Sequence, residues 1–121
     1  MSAVLQQTVA LDTAMLTGTW HNTNVASRGI PRIDVVADGT QVRVRAFGAP
    51  DHDWGMVDAP VFAAALDDDE AMAFSCVFDL GYADAHMQAN LKGGVLVVAT
   101  FNRFKDDSGR SNYFMREFYY R

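Results

Sequence analysis

The chain closes on 95-VLVVATFNRF-104, a short Asp-Asp-Ser-Gly turn region, and 112-NYFMREFYYR-121. Both runs are rich in β-branched and aromatic residues and neither carries a helical period, so both read as long strands. The opening run 16-LTGTWHNT-23 has the same character. Strand at both ends, with hairpin signals between, favours a sheet closed on itself, because a closed barrel hides both edges. In a barrel this small the lumen and its mouth are the natural places for function.

Working outward, β-rich runs alternate with turn chemistry at 16–23, 30–37, 41–48, 58–66, 71–79, 82–91, 94–104 and 112–120. The expected architecture is all-β, an eight-stranded antiparallel up-and-down β-barrel. Residues 15–121 form it as a single domain, and residues 1–14 precede it as a flexible N-terminal arm. The longest connection, 49–57, is the natural lid. The Ala-rich 59-APVFAAALDDDEAMAF-74 also suits a local helix, and its acidic run reads as a solvated turn.

Composition narrows the function classes. A chain of 121 residues supports one core and not two. Its net charge of −5 works against nonspecific attraction to nucleic acid or anionic lipid, so neither is an expected partner. The basic residues are eight Arg against two Lys, which leaves room for a local bidentate anion site. The lone Cys76 excludes an internal disulfide and a multi-cysteine zinc site, and reads as a small buried hydrophobe. No apolar run approaches the roughly 20 residues of a membrane-spanning helix. The first residues lack a basic stretch followed by a long apolar core. The expectation is a cytoplasmic, reduced protein without a cofactor.

Turn chemistry fixes expected registers. Asp38-Gly39 suits a two-residue type I′ loop, which pairs Ala37 with Thr40, Val35 with Val42, Ile33 with Val44, Asp34 with Arg43 and Arg32 with Arg45. Opposed like charges destabilise a sheet, so Arg32 and Arg45 form a candidate anion-binding pair beside the simpler reading of solvated surface. At Lys92-Gly93-Gly94, either two-residue loop puts Ala83, Ala85, Met87, Ala89 and Leu91 on one face with Leu96, Val98, Thr100 and Asn102. That face reads as the interior. His21 and His86 fall on the opposite side.

In the last strand the adjacent Arg116 and Glu117 point to opposite faces, so one of them faces inward. A four-residue loop from Asp106 to Gly109 turns Tyr113, Met115, Glu117, Tyr119 and Arg121 inside. A loop one residue longer turns Phe114, Arg116, Phe118 and Tyr120 inside. An inward charge needs a partner, water or a ligand. In the 49–57 connection, Asp51, His52 and Asp53 have metal-compatible side chains, but consecutive residues rarely converge on one ion, so no metal site is expected. Asp53 reads as a turn cap and Trp54 as a plug over the barrel end.

Two resemblances rest on these residues. The run 17-TGTWHN-22 resembles the first strand of the calycins, the lipocalins and avidins in particular. That likeness implies a calycin-like barrel, an indole across one end with a late Arg packed over it (Arg121, less readily Arg116), and a ligand-binding role for Asn22. It does not extend to the further tryptophans of a biotin pocket. The strings Trp20-x-Asn22, 28-RGIPRI-33, 47-FG-48, 53-DWG-55 and 107-DSGRSNYFMREF-118 resemble a family of small bacterial β-proteins without a settled activity. Ala49 and His52 stand where such relatives often carry Cys, which removes a disulfide or thiol role there.

The expected function is binding of a small, partly apolar molecule in the barrel lumen, oriented by Asn22, Asn102, Tyr113 and Arg116 or Glu117, with Trp54 at the mouth. One rival is a cofactor-free cyclase or isomerase that uses a lumenal acid or base such as Glu117. The other is a ligand-free barrel that acts through an apolar outer face as a homo-oligomer or adaptor.

Overall fold

The computed structural model describes residues 10–121. One antiparallel sheet holds nine strands: β1 (Gly18–Asn22), β2 (Arg32–Asp38), β3 (Gln41–Gly48), β4 (His52–Ala59), β5 (Val61–Phe62), β6 (Ala73–Asp79), β7 (Ala83–Lys92), β8 (Val95–Phe104) and β9 (Tyr113–Tyr120). Their order is β4-β3-β2-β1-β9-β8-β7-β6-β5, a meander whose first strand pairs with its last through His21–Tyr120 and Asn22–Tyr119. The sheet curls until β4 packs against β6, which makes a nearly closed β-barrel.

The expected eight strands are therefore corrected to nine, and the reason lies at Pro60. The strand placed at 58–66 is instead β4 and β5, separated by a residue with no N–H to give the ladder. The segment leaves β3 after Ala59, which pairs with Val42, and joins β6 at Val61, which pairs with Phe74. One extended stretch thus serves both edges of the sheet. Residues 63–72 return as turns, and no helix forms in 59–74.

The β2–β3 register also differs from expectation. Asp38 pairs with Gln41, so the loop is Gly39-Thr40 and not Asp38-Gly39. Gly39 has a φ of +62°, and among the described residues no non-glycine residue has a positive φ. A type I′ loop would force Asp38 to a positive φ; the Gly-first loop has the pattern of type II′ and avoids that cost. The shift is by two residues, so face parity survives: Ile33, Val35, Val42 and Val44 are all buried. The partners change, and Arg32 now faces Phe47 while Asp34 faces Arg45.

The β7–β8 hairpin turns at Gly93-Gly94, and Ala83, Ala85, Met87, Ala89, Leu96, Val98, Thr100 and Asn102 are buried as its parity requires. Ile33, Phe74, Phe78 and Tyr119 are buried with them in the barrel interior. The space that the inward alanines leave is taken up in part by rings of the neighbouring strand, with Phe74 paired to Ala89 and Phe78 to Ala85.

The floor of the barrel is shut. The Asp12 N–H donates to the Asp69 carbonyl and the Ala71 N–H to the Asp12 carbonyl, each at 2.8 Å. Asp12 belongs to the stretch expected to be a flexible arm; residues 1–9 of that stretch lie outside the described residues. Trp20 is wholly buried, and its Nε1–H donates to the Leu16 carbonyl at 2.9 Å. The Arg121 guanidinium lies 4.6 Å from the indole centroid and donates to the Thr17 carbonyl at 2.7 Å. The Arg-over-Trp clamp is thus formed by Arg121.

Candidate functional site

At the other end, connections 23–31, 49–51, 80–82 and 105–112 surround a recess of about 160 Å³. Its position follows from a bulge in β4. Arg45 pairs with Met56, whereas Phe47 pairs with Asp53, so β4 carries an extra residue in between. Gly55 takes it up with a φ of +87°. Such bulges re-aim side chains. Here Asp53 stays outside, while Trp54 turns in and packs edge-on against Phe78, with centroids 5.5 Å apart. The expected 49–57 lid is thus mostly strand, and its Trp is part of the barrel wall. Gly48 makes this fit: a Cβ there would sit 2.6 Å from Trp54 Nε1.

Asp53 accepts from the Gly55 N–H at 2.9 Å and from the Arg45 guanidinium through two contacts. The Arg45 hydrogen bond, then the Gly55 amide, lower its carboxyl pKa to about 2. Asp53 therefore both caps the bulge and neutralises Arg45. Arg32 pairs with Asp34 at 3.1 Å and lies 4.1 Å above the Phe47 ring, whose other flank Arg45 approaches at 5.4 Å. The direct opposition of two arginines, from which the anion-binding reading of Arg32 and Arg45 was drawn, is absent.

Asn102 sits at depth in the recess, opposite Tyr113 on β9 and Ala85 on β7. It is 6% exposed, and its Nδ2 has no hydrogen-bond partner. Buried amides are nearly always satisfied. This donor meets no acceptor of the protein, and its residue lines the recess. Tyr113 is half exposed and forms part of the rim, with its ring 6.1 Å from that of Phe104.

The closing strand settles the choice between Arg116 and Glu117. The Asn102–Tyr113 pairing turns Glu117 inward and leaves Arg116 on the outer surface. Glu117 does not line the recess. Its Oε2 accepts from the Ser27 hydroxyl and its Oε1 from the Ile30 N–H at 3.2 Å, which pins the 23–31 connection to β9. A Cβ at Gly29 would collide with this carboxylate. Asn22 serves the same connection: its Nδ2 donates to the Ile30 carbonyl at 3.2 Å and its Oδ1 accepts from the Asn24 N–H at 2.8 Å. The Tyr119 hydroxyl donates to that carbonyl at 2.6 Å, and burial, then Glu117, push its phenol pKa upward. Of the six expected ligand-binding residues, the recess gathers Trp54, Asn102 and Tyr113; Asn22 and Glu117 hold the loop beside it, and Arg116 lies outside.

Sequence reasoning missed Arg28, His52, Phe104 and Arg110, which also line the recess. Phe104 continues the inward parity of Asn102 and was legible from the hairpin. Arg28, His52 and Arg110 lie in or beside connections, where no period assigns a direction. Arg110 is folded back onto Asp106 at 2.9 Å, and its guanidinium lies 4.3 Å above the Phe104 ring.

The nearly closed, all-antiparallel β-barrel is consistent with a calycin-like fold. Family models, curated proteins and solved structures give no match to this chain.

Proposed function

We propose that this protein binds a small molecule in the mouth of the barrel, between Trp54 and Tyr113, with Asn102 as the contact at depth. The unpartnered Asn102 amide carries this reading. Leaving a buried donor unmet costs about 1–3 kcal/mol, a cost that a ligand acceptor would remove. The site is the mouth and not the whole lumen, since Phe74, Phe78 and Met87 are buried in the interior and Trp20 at the floor. A recess of 160 Å³ suits one ring, because a cavity of roughly 150 Å³ takes up benzene. The cyclase or isomerase alternative draws less support, because Glu117 is committed to Ser27 and Ile30.

The test is a screen of single-ring acids, amides and hydrocarbons by Trp fluorescence. Binders should change the emission, and Trp54→Phe should abolish that change while Trp20 keeps its own signal. Binders whose signal persists in Trp54→Phe would place the site elsewhere.

A second reading has its own observation. Phe101, Phe114, Phe118 and Tyr120 are exposed along the outer faces of β8 and β9, and the Phe101 and Phe114 rings stack 5.5 Å apart. Contiguous apolar surface of this kind is common at interfaces. A homo-oligomer in light scattering that dissociates in Phe114→Asp would support it; a monomer at high concentration would dismiss it.

A further inference from the structure

Building on the mouth as the binding site, the geometry points to a ligand class: a single-ring aromatic carboxylate, with its acid group at the rim beside Arg28 and an acceptor on the ring directed to Asn102. Three observations combine.

The first is charge. In a chain of net charge −5, the recess is lined by Arg28, Arg110 and His52, and no Asp or Glu is among its described lining residues. Arg110 is committed to Asp106, whereas Arg28 makes no ion pair among the described residues. An unpaired guanidinium at the edge of a low-dielectric recess favours an anion and holds a carboxylate in a bidentate fork.

The second is the walls. Trp54 closes one side, and Tyr82, Phe104 and Tyr113 form a run of stacked rings on the other, with centroids 6.2 Å and 6.1 Å apart. Arg110 lies over Phe104 and Tyr82, at 4.3 Å and 5.2 Å, and extends that flat surface. Planar walls of this kind favour a planar guest, through offset or edge contacts with its ring.

The third is the distribution of donors. Asn102 Nδ2 offers a neutral hydrogen bond at depth, where a full negative charge would be costly to desolvate. Arg28 is exposed at the rim, where a carboxylate keeps part of its hydration. A molecule with a ring between an acid and a neutral acceptor satisfies both ends. An inorganic anion would satisfy Arg28 alone.

Isothermal titration with benzoate, benzamide and inorganic phosphate, on the wild-type protein and on Arg28→Gln, tests this. The variant residue is exposed, and its melting temperature should match the wild type. Benzoate should bind roughly ten-fold or more tighter than benzamide, as loss of a charge-assisted contact implies, and tighter than phosphate. Arg28→Gln should bring benzoate down to the benzamide level. Equal binding of benzoate and benzamide to the wild type would overturn the anionic class and leave the mouth site standing. Phosphate matching benzoate would overturn the need for a ring. A benzoate preference that persists in Arg28→Gln would overturn the role of Arg28. If neither ring compound binds at about 10 mM, the mouth site itself falls, and the ligand class with it.

Discussion

Each end of the barrel has one tryptophan, and the two are in opposite states. Trp20 at the floor is wholly buried, its Nε1–H is bonded to Leu16, and Arg121 covers its face. Trp54 at the mouth is partly exposed, leans on Phe78 and Gly48, and borders a recess whose deepest amide has no partner. At the floor the Trp20 indole N–H and the Arg121 guanidinium both have partners, the Leu16 and Thr17 carbonyls. The mouth is built with the same care, since a bulge and a glycine are used to turn Trp54 inward, yet it ends on an unmet donor. Where a packed structure leaves a buried polar group unpaired, function is the first explanation to test.

The largest effect should come from the floor. Trp20→Ala should cost about 3–5 kcal/mol in urea unfolding, as expected for a buried aromatic. Trp54→Ala should cost clearly less, about 1–2 kcal/mol, because the ring is only partly removed from water. Equal costs would mean that the mouth is core, and the contrast between the two ends would break.

Asn102→Leu sharpens the contrast from the other side. It removes an unmet donor while keeping the branched skeleton of the side chain, so stability should rise by about 1 kcal/mol while ring binding is lost. A loss of stability would mark the amide as structural. Arg121→Met should remove only the cation–π contact and one hydrogen bond, lowering stability by about 0.5–1 kcal/mol without touching binding.

The smallest effect concerns pH. The folded carboxyl pKa of Asp53 is about 2, depressed from an ordinary value of 3.8, so its contribution is complete above about pH 4 and is lost as pH falls toward 2. Asp53→Asn should therefore flatten the melting temperature against pH within that window only, and leave the alkaline side unchanged.

Much of the fold was legible because the side-chain period of two is so constraining. The tail strands and the inward face of β7 and β8 follow from parity, whereas the Trp20–Arg121 clamp was implied by the likeness of 17-TGTWHN-22 to the calycin first strand. Parity even survived the two-residue error at Asp38-Gly39, since a shift by an even number keeps every side chain on its face. What parity could not yield was partner identity, and so the Arg32–Arg45 opposition dissolved into Arg32–Asp34 and Arg45–Asp53. The lining of the recess was legible in half. Asn102, Tyr113 and Trp54 came from strand faces and a loop aromatic, whereas Arg28, His52 and Arg110 depend on the paths of connections. The stretch 49–57 reads as a connection, whereas its residues from His52 on are strand, with Gly55 marking a bulge inside it. Glu117 was correctly suspected of needing partners, but these were Ser27 and Ile30, whose approach through Gly29 no local pattern reveals.

The contrast between the two ends can be read in a single titration. In a ¹H–¹⁵N spectrum the indole N–H signals of Trp20 and Trp54 and the side-chain amide of Asn102 can each be assigned by substitution. On addition of 4-hydroxybenzoate, which joins a carboxylate to a ring acceptor, the Trp54 indole and the Asn102 amide should shift together along one saturating curve. The Trp20 indole should stay where it is. Movement of Trp20, or no movement of Asn102 at saturation, would contradict the assignment of the mouth as the binding end.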